Sequence, residues 1–173
     1  MELEEAIKGR RSIRAFRPEN IPEGTVDKLI DAARHAPSAG NSQPWEFIIA
    51  RNIDTKKKLA RAAFNQAFVE EAPIVIVVCA DESRSSVRYG KRGETLYCIQ
   101  DTAAATQNIL LTAHSLGLAT CWVGAFSENE AKKVLKTPDG IRPVAMIPIG
   151  YTNRTPSQRG KRSLKQIIHH EEF

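Results

Sequence analysis

The chain has 173 residues, of which 42% are hydrophobic and 26% are charged, and these proportions exclude a disordered or a fibrous protein. The length fits one domain better than two, so we expect residues 1–173 to form a single domain. The formal net charge is +5, and basic residues cluster at 10–17, 84–92 and 154–165, which indicates an anionic partner.

Nothing in the sequence predicts export, membrane insertion or metal binding. The longest purely apolar run, 74–80, is far shorter than the roughly 20 residues that span a bilayer, and the chain starts with acidic residues where a signal peptide is basic. The three cysteines and four histidines lack the spacing of zinc ligands. We therefore expect a cytoplasmic protein without a membrane partner, a metal or disulfides.

Helical and strand patterns alternate along the chain. Apolar residues at helical spacing predict helices over 3–8, 22–35, 55–64 and 97–116, and a capping box starting at Ser127 predicts another. Apolar, β-branched runs predict strands over 45–50, 73–80, 119–123 and 144–151, the last interrupted by Pro148. The run 73–80 is typical of a strand buried on both faces. The order predicts a sheet covered on both faces, in an α/β or an α+β fold.

Several common catalytic motifs are absent. The sequence contains neither a G-x-G-x-x-G nor a G-x-x-x-x-G-K-[ST] motif, and it has no G-x-S-x-G elbow. Any phosphate must therefore be bound by side-chain arginines, and any redox or group-transfer chemistry must be carried by a cofactor.

Two segments carry positive signals. Residues 9–16 (GRRSIRAF) place three arginines and a serine within five positions, which suits several charge-assisted bonds to one phosphate, although a solvated basic turn explains the same residues. Residues 36–47 hold small and amide side chains between two prolines, which suits binding the polar edge of a heterocycle. A turn that caps the following strand is the alternative for this second segment.

Five segments, in their order and spacing, resemble the FMN-dependent nitroreductase family. They are RRSIR at 10–14, APSAGNSQPW at 36–45, AP at 72–73, QNILL at 107–111 followed by GLATCW at 117–122, and IPIGY at 147–151. The resemblance extends over nearly the whole chain. It implies an α+β, three-layer fold whose central, mostly antiparallel sheet is flanked by helices on both faces. It also implies an intertwined homodimer, with residues 1–173 as one FMN-binding domain.

The resemblance also implies which residues bind the cofactor. The FMN phosphate and ribityl chain would be bound by Arg10, Arg11 and Ser12, with a second set of phosphate ligands in Arg159, Lys161 and Arg162. The pyrimidine edge of the flavin would be bound by Arg14 and by Asn65 or Gln66. Trp122, Val123 and Gly124 would lie along the flavin, with a backbone N–H near N5, and the partner subunit would contribute Pro37, Ser38, Ala39 and Asn41.

The implied activity is electron transfer from NAD(P)H through FMN to a small planar acceptor such as a nitroaromatic or a quinone. Both half-reactions would use one slot, so ping-pong kinetics are expected, and no catalytic side chain is required. Two departures stand out: the segment 122–124 lacks the glutamate that several members carry, and the chain is short for the family. The segment 84–93 is therefore the candidate lid or channel wall, and its four cations would favour NADPH.

Other readings of the sequence remain open. The basic clusters would suit a nucleic-acid-binding protein, but aromatic residues make up only 6% and no zinc-finger or RNP motif occurs, so no nucleic-acid partner is expected. A noncatalytic FMN-binding module would bind flavin that NAD(P)H does not bleach. A specialised branch of the family, such as reductive dehalogenation or flavin fragmentation, would usually carry a longer lid.

Overall fold

A computed structural model describes residues 1–173 and contains one four-stranded sheet. The strands are β1 (Trp45–Ala50), β2 (Ile74–Asp81), β3 (Ala119–Thr120) and β4 (Ile141–Gly150), arranged in the order β1-β2-β4-β3. Every neighbouring pair of strands is antiparallel. The predicted, mostly antiparallel sheet is confirmed, with β2 inside it.

Seven α-helices surround the sheet: α1 (Leu3–Gly9), α2 (Glu23–Arg34), α3 (Ile53–Ala62), α4 (Phe68–Glu71), α5 (Glu82–Arg92), α6 (Cys98–Ser115) and α7 (Glu128–Leu135). Side-chain caps fix three of the starts, those of α3, α5 and α7. The Asn52 side chain accepts hydrogen bonds from the first N–H groups of α3, and the Ser127 hydroxyl accepts one from Glu130 N at 3.3 Å. No helix is long and apolar enough to cross a membrane.

Alternate residues of β2 face two separate cores. Ile74, Ile76 and Val78 pack in a cluster with residues of α2 and α6, whereas Val75, Val77 and Cys79 pack with residues of α3 and α7. This alternation explains why the run is apolar at every position, because both faces of the strand are buried. The three-layer α+β fold is confirmed.

The structure adds one element and corrects two details of the predicted ones. The segment proposed as a lid or channel wall is helical: it lies in α5, and one turn of π-helix, Gly93–Tyr97, joins α5 to α6. The strand 119–123 is reduced to β3 and one bridge between Val123 and Met146. Pro148 does not interrupt β4. Its carbonyl faces the β3 side of the sheet, where it accepts a hydrogen bond from Cys121 N at 3.4 Å. Because β3 is only two residues long, the missing N–H of Pro148 costs few backbone hydrogen bonds.

Candidate functional site

A cavity of about 1050 Å³ lies between the N-terminal segment and the tail that follows β4. Its lining includes residues from two distant parts of the sequence: Ile7, Lys8, Arg10, Arg11, Ser12, Ile13, Arg14 and Ala15 from the first, and Arg154, Thr155, Pro156, Ser157, Gln158, Arg159 and Lys161 from the second. Seven of these side chains are cationic and none is a carboxylate. The fold therefore concentrates positive charge in one place.

Arg10 is the cavity residue with a buried side-chain donor that lacks a partner. Its Nε is buried and has no hydrogen-bond partner, an arrangement that is uncommon for a buried donor and favours an anionic ligand. Arg11 differs, because its guanidinium donates to Lys8 O at 2.5 Å and to Arg10 O at 3.0 Å. These bonds hold the first basic segment in a compact turn after α1.

The N-terminal segment reaches this position by extending the sheet. Ser12 forms an isolated parallel bridge with Thr120, and Ile13 N donates to Thr120 O at 2.8 Å. Because β3 is the edge strand, the pairing places residues 10–14 directly beside the segment that follows β3. The cavity is thus built at the open edge of the sheet.

The connection between α3 and α4 approaches the same edge. The Gln66 amide donates to Ala63 O at 2.9 Å and to Ala125 O at 3.1 Å, which ties it to the segment after β3. The Arg14 guanidinium lies 5.7 Å from the centre of the Phe68 ring. Asn65 is exposed and has a left-handed backbone, with φ of 60°. Arg14 therefore lies against α4, and Gln66 is held against the segment that follows β3.

The segment after β3 presents one ring and one free donor. Val123 is buried and paired with Met146, whereas the Trp122 side chain is 38% exposed. Gly124 is exposed, and its N–H donates no hydrogen bond within the chain. This N–H is available to a ligand that lies beside the sheet edge.

Most of the predicted flavin ligands do not line the cavity: Asn65, Gln66, Trp122, Val123 and Gly124 lie outside it, and so do two further sets. The loop that contains Pro37, Ser38, Ala39 and Asn41 contributes none of its lining residues. Arg162 is also outside, and its guanidinium donates to Gln166 O at 2.5 Å. Of the second set of predicted phosphate ligands, the structure therefore brings Arg159 and Lys161, but not Arg162, to the N-terminal arginines within one chain.

The basic cluster of α5 is largely committed to local partners. Arg84 lies 3.5 Å from the Asp81 carboxylate, and Lys91 lies 2.8 Å from that of Glu94. Arg92 donates to the Tyr97 hydroxyl at 2.9 Å. Arg88 reaches a distant part of the chain, donating to Gly40 O at 3.4 Å. The helix thus rests on the loop after α2.

The three cysteines are buried and free. Burial raises the pKa of Cys79 to about 12 and that of Cys98 to about 11. Burial also raises the pKa of Cys121, although Arg14 and Arg10 oppose the effect. All three are therefore neutral thiols at pH 7, which suits small packing side chains rather than nucleophiles.

Some residues at the site were not singled out from the sequence. Gln158 and Thr155 line the cavity, and no motif separated them from an ordinary polar tail. His114, at the end of α6, lies against Gly9, where an added Cβ would be 2.8 Å from its Nε2. Burial, followed by the charges of Arg10 and Arg11, lowers the pKa of His114 and keeps its imidazole neutral at pH 7.

An α+β fold with a cationic cavity at the sheet edge suits a ligand that carries a phosphate. A cavity of this size, rich in guanidinium donors and free of carboxylates, fits the phosphate and ribityl chain of a flavin mononucleotide.

Comparison with known proteins shows that the chain belongs to the nitroreductase family, whose model matches residues 7–71 and 61–151. A Thermus thermophilus protein named NADH dehydrogenase is 47% identical over 187 residues, covering 92% of this chain and 89% of that protein. A Bacillus subtilis protein named FMN reductase (NADPH) is 29% identical over 181 residues, covering 96% of this chain and 72% of that protein. The structure of NADPH:FMN oxidoreductase from Vibrio harveyi in complex with NAD+ superposes with a TM-score of 0.91 at 25% identity, covering 99% of this chain and 77% of that one.

The family and the enzyme class expected from the sequence are confirmed by these similarities. The chain is an NAD(P)H-dependent oxidoreductase of the flavin-using type, with FMN as its cofactor.

Proposed function

We propose that two copies of the chain form a homodimer with two FMN sites, and that each site passes electrons from NAD(P)H to flat, electron-poor acceptors such as nitroaromatics and quinones. One observation carries the assignment of the cofactor site: the cavity gathers seven cationic side chains, one of them Arg10 with a buried and unpartnered Nε. FMN, when bound, supplies the redox centre that accepts a hydride from the nicotinamide and returns the electrons to the acceptor.

The residues around the cavity divide the binding of FMN between them. Arg10, Arg11 and Ser12, with Arg159 and Lys161 opposite, hold the phosphate by charge-assisted bonds. Arg14 supplies positive charge where the reduced ring system carries its negative charge, which raises the reduction potential. The carbonyl oxygen of the Gln66 side chain stays free to accept a bond, because its amide nitrogen already donates to two backbone carbonyls.

The residues after β3 would orient the ring system. The exposed Trp122 side chain would offer a surface for it, and the unused Gly124 N–H would be available as a donor to the flavin. A backbone donor at the ring edge, rather than an acid or base, would leave a face of the flavin open for both substrates. Because the donor and the acceptor occupy the same face in turn, ping-pong kinetics follow.

Exposed apolar side chains support the homodimer. Every residue of the C-terminal tail, 153–173, is exposed, although the tail contains Leu164, Ile167, Ile168 and Phe173. Such a stretch buries its apolar surface by packing on a second copy. The same arrangement brings the loop with Pro37, Ser38, Ala39 and Asn41 to the partner's flavin, and Arg162 to a phosphate, which neither reaches within its own chain.

The test combines colour, mass and turnover. The purified protein, supplied with FMN, is expected to be yellow and dimeric by light scattering, and anaerobic NADH or NADPH is expected to bleach its visible absorbance. Initial rates with a quinone should give parallel double-reciprocal lines. A colourless protein after FMN addition, or a flavin-loaded monomer, would contradict the proposed site, and flavin that neither nucleotide bleaches would identify a noncatalytic module.

A further inference from the structure

The loop between α2 and β1, residues 38–43, has a strained backbone. Gly40, Asn41 and Gln43 adopt φ angles of 55°, 56° and 49°. Only glycine takes up the left-handed region without steric cost, so Asn41 and Gln43 are held there by their surroundings. Strained backbone of this kind persists where the neighbouring structure determines it.

The hydrogen bonds inside the loop do not attach it to the rest of the chain. Asn41 N donates to Ser38 O at 2.9 Å, and Gln43 N donates to the Ser38 hydroxyl at 3.0 Å. These bonds close the turn on itself. The loop therefore needs a separate anchor to fix its position over the sheet.

The anchor is Asp101, in the first turn of α6. Ala39 N lies 3.2 Å from both carboxylate oxygens of Asp101, and the Asp101 side chain receives no other hydrogen bond. Asp101 is only 7% exposed and has no cationic partner. Burial raises the pKa of Asp101 more than the bond from Ala39 lowers it.

A buried carboxylate with a single amide donor is a poor stabiliser of the core. Replacing such a carboxylate by an apolar side chain of similar volume usually costs no folding free energy, because burying an ionisable group without an opposite charge is unfavourable. The second external bond to the loop, from Arg88 to Gly40 O, is longer, at 3.4 Å, and comes from an exposed side chain. Asp101 is thus the buried attachment of the loop.

We propose that Asp101 is a positioning residue which, through the Ala39 N–H, fixes the loop 38–43 as the wall of the partner subunit's flavin site. The inference rests on the proposed function, since only the homodimer brings this loop to a flavin. Asp101 acts through Ala39 and not through the reacting atoms. Loss of the anchor leaves the phosphate cavity intact, because the loop lines no part of it.

Three variants separate positioning from folding. Asp101→Leu removes the acceptor, and Asp101→Asn keeps one acceptor oxygen and serves as the conservative rescue. Ala39→Pro removes the donor at a place where the preceding residue, Ser38, is already extended, as proline requires. Thr102→Val is the matched control, because Thr102 is buried on the same helix turn but bonds only to its own helix, at Cys98 O and Ile99 O.

Amide hydrogen exchange over 37–44 in the flavin-free protein tests the anchor, and FMN affinity with kcat and KM for a quinone tests its consequence. Asp101→Leu and Ala39→Pro should both speed exchange and lower kcat/KM about tenfold to a hundredfold, the scale expected when a group near the reacting atoms is misplaced by about 1 Å. Asp101→Asn should stay within about twofold of the wild type, since one acceptor is enough for one donor. Thr102→Val should lower only the melting temperature.

Unchanged exchange in Asp101→Leu would overturn the anchor, and faster exchange with unchanged FMN affinity and kcat/KM would overturn the role at the flavin site. An effect of Thr102→Val equal to that of Asp101→Leu would show that both act through stability alone. Failure of the proposed function is a separate result, because it appears in the wild-type protein as an absence of FMN binding.

Discussion

Replacing Arg10 by alanine should release FMN without weakening the protein that lacks it. The Arg10 Nε is buried in the cavity and has no partner, so its removal breaks no hydrogen bond at that atom. A charge-assisted bond to a phosphate contributes about 1.5–3 kcal/mol, which corresponds to a loss of affinity of roughly tenfold to a hundredfold. The flavin-free variant should melt at the wild-type temperature or slightly above it, since a buried donor atom without a partner is unfavourable.

The two effects can be measured together by thermal melts with increasing FMN, because a ligand stabilises the folded state according to its concentration relative to its Kd. Arg17→Ala is the matched control. Arg17 also has a buried Nε without a partner, but it lies outside the cavity and pairs with Glu19 at 3.0 Å and with the Tyr151 ring. The control should lower the flavin-free melting temperature and leave FMN affinity unchanged. If Arg10→Ala behaves like this control, Arg10 is structural and the phosphate assignment is wrong.

Three further outcomes are expected. Stopped-flow reduction of the flavin should be faster with NADPH than with NADH, and this preference should shrink as salt rises. Arg88→Ala should weaken the preference more than Arg84→Ala, because the Arg84 side chain is already paired with Asp81. Equal rates with both nucleotides would show that this basic cluster does not contact the donor. Glu128→Gln should cost about 1 kcal/mol at pH 7, a modest value because both partners are partly exposed. The side-chain bonds of Arg142 lower the pKa of Glu128 in the folded protein. The stabilisation is therefore present above the unfolded pKa and is lost as the pH falls through the folded pKa, which urea melts across pH 2–7 would show. A destabilisation by Glu128→Gln that did not depend on pH would contradict the pairing. Cys121→Ser should keep its FMN and its turnover, because the wild-type thiol is neutral, and a large loss of rate in a folded variant would indicate a redox role.

Much of the fold was predictable because buried segments show a regular pattern of apolar residues. Segments without such a pattern were not predicted. The strand β2 is apolar at every position because helices cover both of its faces, and the sequence reports that directly. The helix α5 has no apolar stripe: its one large aliphatic side chain, Val87, is 89% exposed. What starts α5 is a cap, in which the Asp81 carboxylate accepts from Arg84 N at 3.0 Å. A cap without periodicity is a weak signal in sequence.

The candidate site was predictable in its parts but not in its assembly. The basic segments at the two ends of the chain were visible, yet spacing along the sequence does not reveal that Arg159 and Lys161 meet the N-terminal arginines while Arg162 turns to Gln166. Which of these three tail residues reaches the cavity depends on the path of the tail after β4. Asp101 offered one usable clue, a carboxylate on the apolar face of a predicted helix, which requires a partner elsewhere in the fold.

The pairing of Ser12 and Ile13 with Thr120 also governs self-association. An uncovered edge strand offers its backbone groups to other chains and promotes aggregation, and in this protein the segment that carries the proposed phosphate ligands covers the β3 edge. The proposed cofactor binding and the protection against aggregation would therefore depend on the same five residues, 10–14. Variants for engineering substrate range should change side chains there and keep the backbone extended, because a proline at 13 would remove the N–H that seals the edge.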